Sequence, residues 1–138
     1  ACWWPKKLEK NPNYVHEALG IVDACLRCVA IYKPKFWVLE NPAGRLKNWI
    51  GKPVCWIDPH EFAGWLPEDE QSEEQYKKHT GLWGNFNHPV KNSLPPVQGT
   101  WQEYRKGKPL DGSRCDKETG GRSNTPRGFA KAFFWANL

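Results

Sequence analysis

A carboxylate and an amide stand together where an apolar segment of the sequence stops. The run 36–39, FWVL, is followed directly by Glu40, Asn41 and Pro42. A carboxylate in a turn stiffened by proline can hydrogen-bond the edge of a planar heterocycle or take part in proton transfer. On residue type and spacing alone, the alternative stays open that Asn41 caps the next turn and that Glu40 is a solvated strand end.

The elements before this point are a helix and a strand. Asn11 followed by Pro12 is typical of a helix start, and apolar residues then recur at helical spacing up to about Tyr32. The segment 33–35, KPK, ends the helix at its proline. The run 36–39 is short and aromatic, which predicts a strand buried on both faces. A helix that leads into a buried strand indicates an α/β fold, in which ligands lie beyond the carboxyl ends of the strands.

Weaker patterns continue to the end of the chain. Residues 44–53 allow a short helical turn. Residues 58–78 are acidic and polar, and within them the run 67–78, PEDEQSEEQYKK, predicts a solvated loop or short exposed helix. Residues 54–57 and 80–86 are candidates for a second and a third strand. Thr125 and Pro126 predict the cap and first residue of a closing helix.

Composition predicts a single globular domain spanning 1–138. Of the 138 residues, 39% are hydrophobic and 25% charged, which excludes a chain disordered throughout. An odd count of five cysteines does not indicate a disulfide framework. No apolar run is long enough to span a bilayer and the N-terminus lacks the order of a secretory signal, so we expect a cytoplasmic protein without a membrane partner.

Two sets of residues could bind nucleic acid. Lys and Arg outnumber Asp and Glu by 20 to 15, and there are 9 tryptophans. Residues 87–122 have an irregular, basic composition that predicts a small DNA-contacting segment, with a merely solvated basic loop as the competing interpretation. Trp83 could stack on a base or pack in the core of its strand. The candidate phosphate-binding residues of the segment are Arg105, Lys106, Lys108, Arg114 and Arg122.

Other residues with the chemistry of a site give weaker indications. Cys25 and Cys28 have a spacing found in zinc sites, but they fall within the predicted helix and no matching second pair exists, so no metal site is predicted. His79 and His88 flank the third strand and could approach a phosphate, although unpaired loop histidines usually have no such role.

Three segments resemble the DNA (cytosine-5) methyltransferases. WVLENPAGRL is similar to the family's buried strand that ends in Glu-Asn-Val before a glycine, and more so to a Glu-Asn-Pro-x-Gly variant in phage and environmental methyltransferase-like proteins. YKKHTGLWGNF resembles the strand that follows, and RSNTPRGFAKAFFWANL resembles the closing segment. The resemblance covers the chain from the helix before the strand to the end, and it implies the C-terminal half of such a protein.

The resemblance implies specific roles for the residues after the strand. In this family the glutamate contacts the ring nitrogen and amino group of a flipped cytosine while a cysteine attacks the neighbouring carbon, and that role falls on Glu40. The asparagine that shapes the turn corresponds to Asn41. The family's valine position is Pro42, as in the phage-like variant. DNA is the implied partner, and S-adenosylmethionine is the implied cofactor.

The family's remaining catalytic parts have no counterpart in this sequence. Its glycine-rich cofactor loop and its Pro-Cys nucleophile lie upstream of the segment that corresponds to Ala1. The resemblance therefore implies a partial Rossmann-like methyltransferase sheet with flanking helices and an irregular basic loop region. It also implies a methyltransferase-like protein or fragment that is inactive alone, or alternatively a non-catalytic DNA-binding or protein-interaction module. A strand without its neighbour should pair with a chain carrying the missing N-terminal half, or with a second copy.

Overall fold

A computed structural model describes residues 4–96 and 124–138. The described part of the chain is a mixed α/β structure, as expected in general terms. Its helices and strands, in chain order, are α1 Trp4–Lys10, α2 Tyr14–Tyr32, β1 Trp37–Pro42, α3 Lys47–Ile50, β2 Cys55–Ile57, α4 Glu68–Gln71, β3 Thr80–Asn85 and α5 Arg127–Ala136. Two short 3-10 turns, Pro59–Glu61 and Ala63–Trp65, stand between β2 and α4.

The described residues form two compact units. The first unit consists of the described residues within 1–55 together with Gly81–Phe86, and the second consists of those within 56–80 and 87–138. The expectation of one domain over 1–138 stays a prediction.

The long helix α2 of the first unit confirms the helical periodicity. It ends at Tyr32, and Lys33 adopts a left-handed conformation with φ of 43° while its N–H donates to the Val29 carbonyl. Its start differs from the prediction because Asn13, not Asn11, occupies the N-cap position. Asn11 instead accepts a 2.9 Å hydrogen bond from the Asn13 N–H, which shapes the turn before the helix.

The three strands form an antiparallel sheet in the order β1–β3–β2. Because the third strand in sequence is the middle strand of the sheet, β1 lies at an edge. The predicted strands agree with β2 and β3 to within about one residue. The finer expectation, a partial Rossmann-like sheet, stays a prediction.

The first strand is less buried than its composition predicts. The side chains of Trp37, Val38 and Leu39 are half-buried, whereas the apolar run indicates burial on both faces. An edge strand has one neighbouring strand instead of two, so its side chains retain contact with solvent. The strand also extends further than the prediction, through Glu40 to Pro42.

A glycine permits the close approach of β3 to β1. A Cβ atom on Gly84 would overlap the carbonyl oxygen of Trp37, which is a backbone atom and cannot rotate away. The preceding residues Leu82 and Trp83 are buried. Leu82 and Trp83 therefore supply buried apolar side chains to the first unit, while Gly84 allows the two backbones to meet.

The second unit has its own apolar core. Phe62 and Ala63 are fully buried in the segment of the 3-10 turns, and Phe129 and Ala132 are buried on α5. The Phe62 and Phe129 rings meet edge to face, with centroids 5.4 Å apart. This geometry is the favoured one for two aromatic rings, so it fixes α5 against the turn segment.

A buried carboxylate holds the beginning of α5. Glu74 accepts a hydrogen bond from the backbone N–H of Arg127 and a 2.9 Å bond from that of Gly128. Burial raises the pKa of Glu74, although both backbone bonds and the Arg127 charge act in the opposite direction. The guanidinium of Arg127 also forms a 2.8 Å ion pair with Glu70. The predicted Thr125 cap is not the N-cap residue, because Pro126 occupies that position.

None of the helices within 4–96 and 124–138 combines the length and the apolar character that a membrane span requires.

Candidate nucleic-acid interface

The candidate base-reading residues lie in the last part of β1. Glu40 is half-buried, and Asn41, which follows it, is half-buried as well. The Asn41 side-chain amide donates a 2.8 Å hydrogen bond to the Pro42 carbonyl. This local bond, together with the fixed φ of proline, restricts the backbone that follows the carboxylate. Glu40, Asn41 and Pro42 are thus consecutive residues of β1, and the roles assigned to Glu40 and Asn41 stay a prediction.

The segment after β1 exposes a tryptophan that lies between two lysines in the sequence. The four-residue helix α3 has Leu46 just before it and Ile50 at its end, and both side chains are half-buried. Residues four apart lie on the same face of a helix, so this apolar pair directs one face inward. The residues between them are exposed, and the Trp49 side chain is 55% exposed.

The tryptophan selected from the sequence is a core residue. Trp83 is only 6% exposed, and its indole Nε1 donates a 2.8 Å hydrogen bond to the Gly51 carbonyl. A base could reach this ring only after displacement of the residues that cover it. Packing in the strand, the alternative that the sequence left open, describes Trp83 as it lies in the structure. Trp49 was not predicted from the sequence. Its position between Lys47 and Lys52 is a pattern that indicates binding of an unpaired base next to phosphates.

The net positive charge of the described residues is concentrated in the first unit. Residues 4–55 and 81–86 contain nine Lys and Arg against four Asp and Glu, which is a net charge of +5. The described residues of the second unit contain five Lys and Arg against seven Asp and Glu. The cationic surface of the described residues is therefore that of the first unit, which attracts polyanions.

The basic residues selected from 87–122 fall outside the described residues. Their contribution to DNA binding stays a prediction. They are Arg105, Lys106, Lys108, Arg114 and Arg122.

A histidine of the second unit has partners that its sequence neighbours did not reveal. The His79 ring stacks on Trp56 with centroids 4.6 Å apart and an interplanar angle of 8°. Its Nδ1 lies 3.5 Å from the Asp58 carboxylate. Asp58 also begins the first 3-10 turn, where its N–H donates a 2.9 Å bond to the Glu61 carboxylate. The ring is thus oriented by stacking and by a carboxylate that is 21 positions away in sequence.

The described residues offer no assembled metal site. Among them, no group of three or more His, Cys, Asp or Glu side chains is arranged to hold an ion. Cys25 and Cys28 are free and exposed on α2. The two cysteines lie three positions apart on the surface of this helix.

Comparisons with known proteins found no match. The sequence matches no protein-family model, no curated protein and no solved structure.

Proposed function

We propose that the chain is part of a DNA (cytosine-5) methyltransferase-like protein, in which Glu40 reads the edge of an unpaired cytosine. The supporting observation is the half-buried Glu40 in the last part of β1, followed in the same strand by Asn41, whose side-chain amide donates to the Pro42 carbonyl. A half-buried carboxylate can accept a hydrogen bond from the amino group of cytosine, and when protonated it can donate one to the ring nitrogen.

In this proposal the three strands belong to a larger, Rossmann-like sheet. The edge position of β1 supports this extension, because an edge strand presents backbone N–H and C=O groups to a further strand. A chain carrying the missing N-terminal half, or a second copy, would supply that strand.

The described residues do not themselves fit S-adenosylmethionine. A nucleotide-like cofactor usually lies where a glycine-rich turn leads from a strand into a helix of several turns. Here β1 leads into the four-residue α3, and β2 leads into a 3-10 turn. We therefore assign the cofactor to the absent half and derive no methyl-transfer step for this chain. Glu40 would bind and orient the base, and catalysis would need the other half.

A non-catalytic DNA-binding module is the second candidate. The excess of five positive charges in the first unit favours it, because this feature attracts the phosphate backbone without any chemistry at the base. The two candidates differ in whether cytosine is distinguished from other bases.

A binding experiment with two duplexes tests the proposal. One duplex presents cytosine opposite an abasic site and the other presents thymine there, so that each base is available outside the stack. We expect tighter binding of the cytosine duplex, loss of that preference in Glu40→Gln, and its retention in Glu9→Gln, a control at an exposed position of the same unit. The isolated chain should not bind S-adenosylmethionine in a calorimetric titration.

The opposite results separate the candidates. Equal, salt-sensitive binding of both duplexes would reject base reading by Glu40 and would support the non-catalytic module. A cytosine preference that survives Glu40→Gln would also reject the assigned role.

A further inference from the structure

We infer that Trp49, Lys47 and Lys52 form a binding surface for single-stranded polynucleotide, here named the Trp49 surface. The indole stacks on an unpaired base, and the two ammonium groups contact phosphates on either side of it. This inference deepens the proposed function and rests on it only in that nucleic acid is the partner, because the surface needs no base reading by Glu40.

The exposure of Trp49 is the first observation. Its side chain is 55% exposed, although tryptophan is highly buried on average. The half-buried Leu46 and Ile50 already supply the inward face of α3. More than half of the surface of Trp49 is therefore accessible to a planar ligand. Stacking on an aromatic side chain is the general means by which proteins hold unpaired bases.

The charges near Trp49 in the sequence are the second observation. Lys47 and Lys52 are exposed, and within 4–96 and 124–138 neither forms an ion pair. The sequence has no Asp or Glu between Glu40 and Asp58. A stretch of seventeen residues thus contains cations without acids, which complements a phosphate backbone. A partner protein with an uncharged or basic surface would form no ion pairs with these cations.

The rigidity of the segment is the third observation. The backbone N–H of Trp49 donates a 2.9 Å bond to the Leu46 carbonyl. The Gly51 carbonyl accepts the 2.8 Å bond from the indole N–H of the buried Trp83. Gly51 has a φ of 84°, a conformation that suits glycine, and the Val54 N–H donates a 2.7 Å bond to the Leu82 carbonyl. The C-terminal side of the segment is therefore joined to β3, through Gly51 and Val54. A surface that is already ordered loses less conformational entropy when it binds.

Fluorescence anisotropy with a labelled oligothymidylate of twelve nucleotides tests the inference on the full chain. We expect Trp49→Ala to weaken binding by about 5- to 150-fold, which is the range for the loss of one stacked base. Trp135→Ala is the matched control, because Trp135 is 58% exposed on α5 of the other unit. It should change binding by less than about twofold. Circular dichroism of each variant checks that it folds.

The lysines are tested by salt dependence. Replacement of both Lys47 and Lys52 by Gln should reduce the slope of log affinity against log salt by about 1.4, since each phosphate contact on a single strand contributes about 0.7. The same pair of replacements at Lys33 and Lys35, exposed between α2 and β1, should leave the slope nearly unchanged.

The outcomes distinguish this inference from the proposed function. Equal effects of Trp49→Ala and Trp135→Ala, or no binding of the oligonucleotide at low salt, would overturn the Trp49 surface and leave a protein contact as the alternative for this patch. Loss of the cytosine preference in Glu40→Gln is a separate result, because that variant should still bind oligothymidylate.

Discussion

The indole nitrogen of Trp83 donates a 2.8 Å hydrogen bond to the carbonyl oxygen of Gly51. This bond joins the buried middle strand β3 to the loop that follows α3. The loop begins two residues after the exposed ring of Trp49. The buried tryptophan thus acts on the candidate interface by fixing a backbone carbonyl, and the exposed tryptophan presents the ring.

We predict that Trp83→Phe weakens both the fold and the binding of single-stranded DNA. Phenylalanine keeps most of the apolar volume but cannot donate to Gly51, so the free energy of unfolding should fall by about 1 to 3 kcal/mol. Oligothymidylate affinity should fall as well, because the loop is less ordered.

Trp65→Phe provides the matched control for this prediction. It removes a similar bond, from the Trp65 indole to the Val90 carbonyl at 2.9 Å, in the second unit. Denaturant titration should show a loss of stability in this variant too. Unchanged oligonucleotide affinity in Trp83→Phe, or an equal loss in Trp65→Phe, would contradict a specific effect on the loop.

A pair of glycine substitutions tests the contact between β1 and β3. Gly84→Ala should destabilise the protein by about 1 to 3 kcal/mol, because the new methyl group would overlap the Trp37 carbonyl oxygen. Gly20→Ala places a methyl group on α2 with no atom within 4 Å and should stabilise it by about 0.5 to 1 kcal/mol. Urea unfolding of both variants gives the two free energies. The contact would be refuted by a Gly84→Ala protein as stable as wild type.

Asn137 should be one of the most sensitive polar positions of the second unit. Its side chain accepts a 2.7 Å bond from the Asn87 N–H and donates bonds to the carbonyls of Asn87 and Phe133. Asn137→Ala leaves these backbone groups without their partner, which should cost about 1 to 3 kcal/mol of unfolding free energy. Asn48→Ala, at an exposed position on α3, should change stability by less than about 0.5 kcal/mol in the same thermal denaturation series.

Glu74→Gln should weaken the attachment of α5. One backbone N–H of the pair at Arg127 and Gly128 would face the amide NH2 group instead of an oxygen. We expect a loss of about 1 kcal/mol or more at neutral pH. Exchange of the amide hydrogens at the start of α5 should become faster, and unchanged protection there would contradict the attachment.

The pH dependence of that variant has a definite sign. Burial raises the pKa of Glu74 in the folded protein, so the folded state holds this proton more tightly than the unfolded state does. The stabilising contribution of protonation is present below the unfolded pKa and is lost as the pH rises through the folded pKa. The free energy of wild type minus that of Glu74→Gln should therefore decrease as the pH rises through this interval. A difference that increases with pH would contradict the prediction, and Glu68→Gln controls for the loss of one exposed carboxylate.

The sequence by itself determined the local elements. Helical spacing of apolar residues predicted α2 to its last residue, Tyr32, and short aromatic or β-branched runs predicted the three strands. The place of Glu40 in the last part of the first strand also followed from the sequence, although the strand continues through Asn41 and Pro42. These features depend on neighbours along the chain, and periodicity and turn chemistry report such neighbours directly.

Tertiary structure alone decided which side chains are buried and which segments meet. Trp83 and Trp49 have the same side chain, yet the first lies in the middle strand of the sheet and the second on a four-residue helix whose inward face is already filled. Likewise, the carboxylate beside His79 is 21 positions away, and the carboxylate bound by Arg127 and Gly128 is more than 50 positions away. Strand order and long-range packing set these contacts, and no local pattern of residue types encodes them.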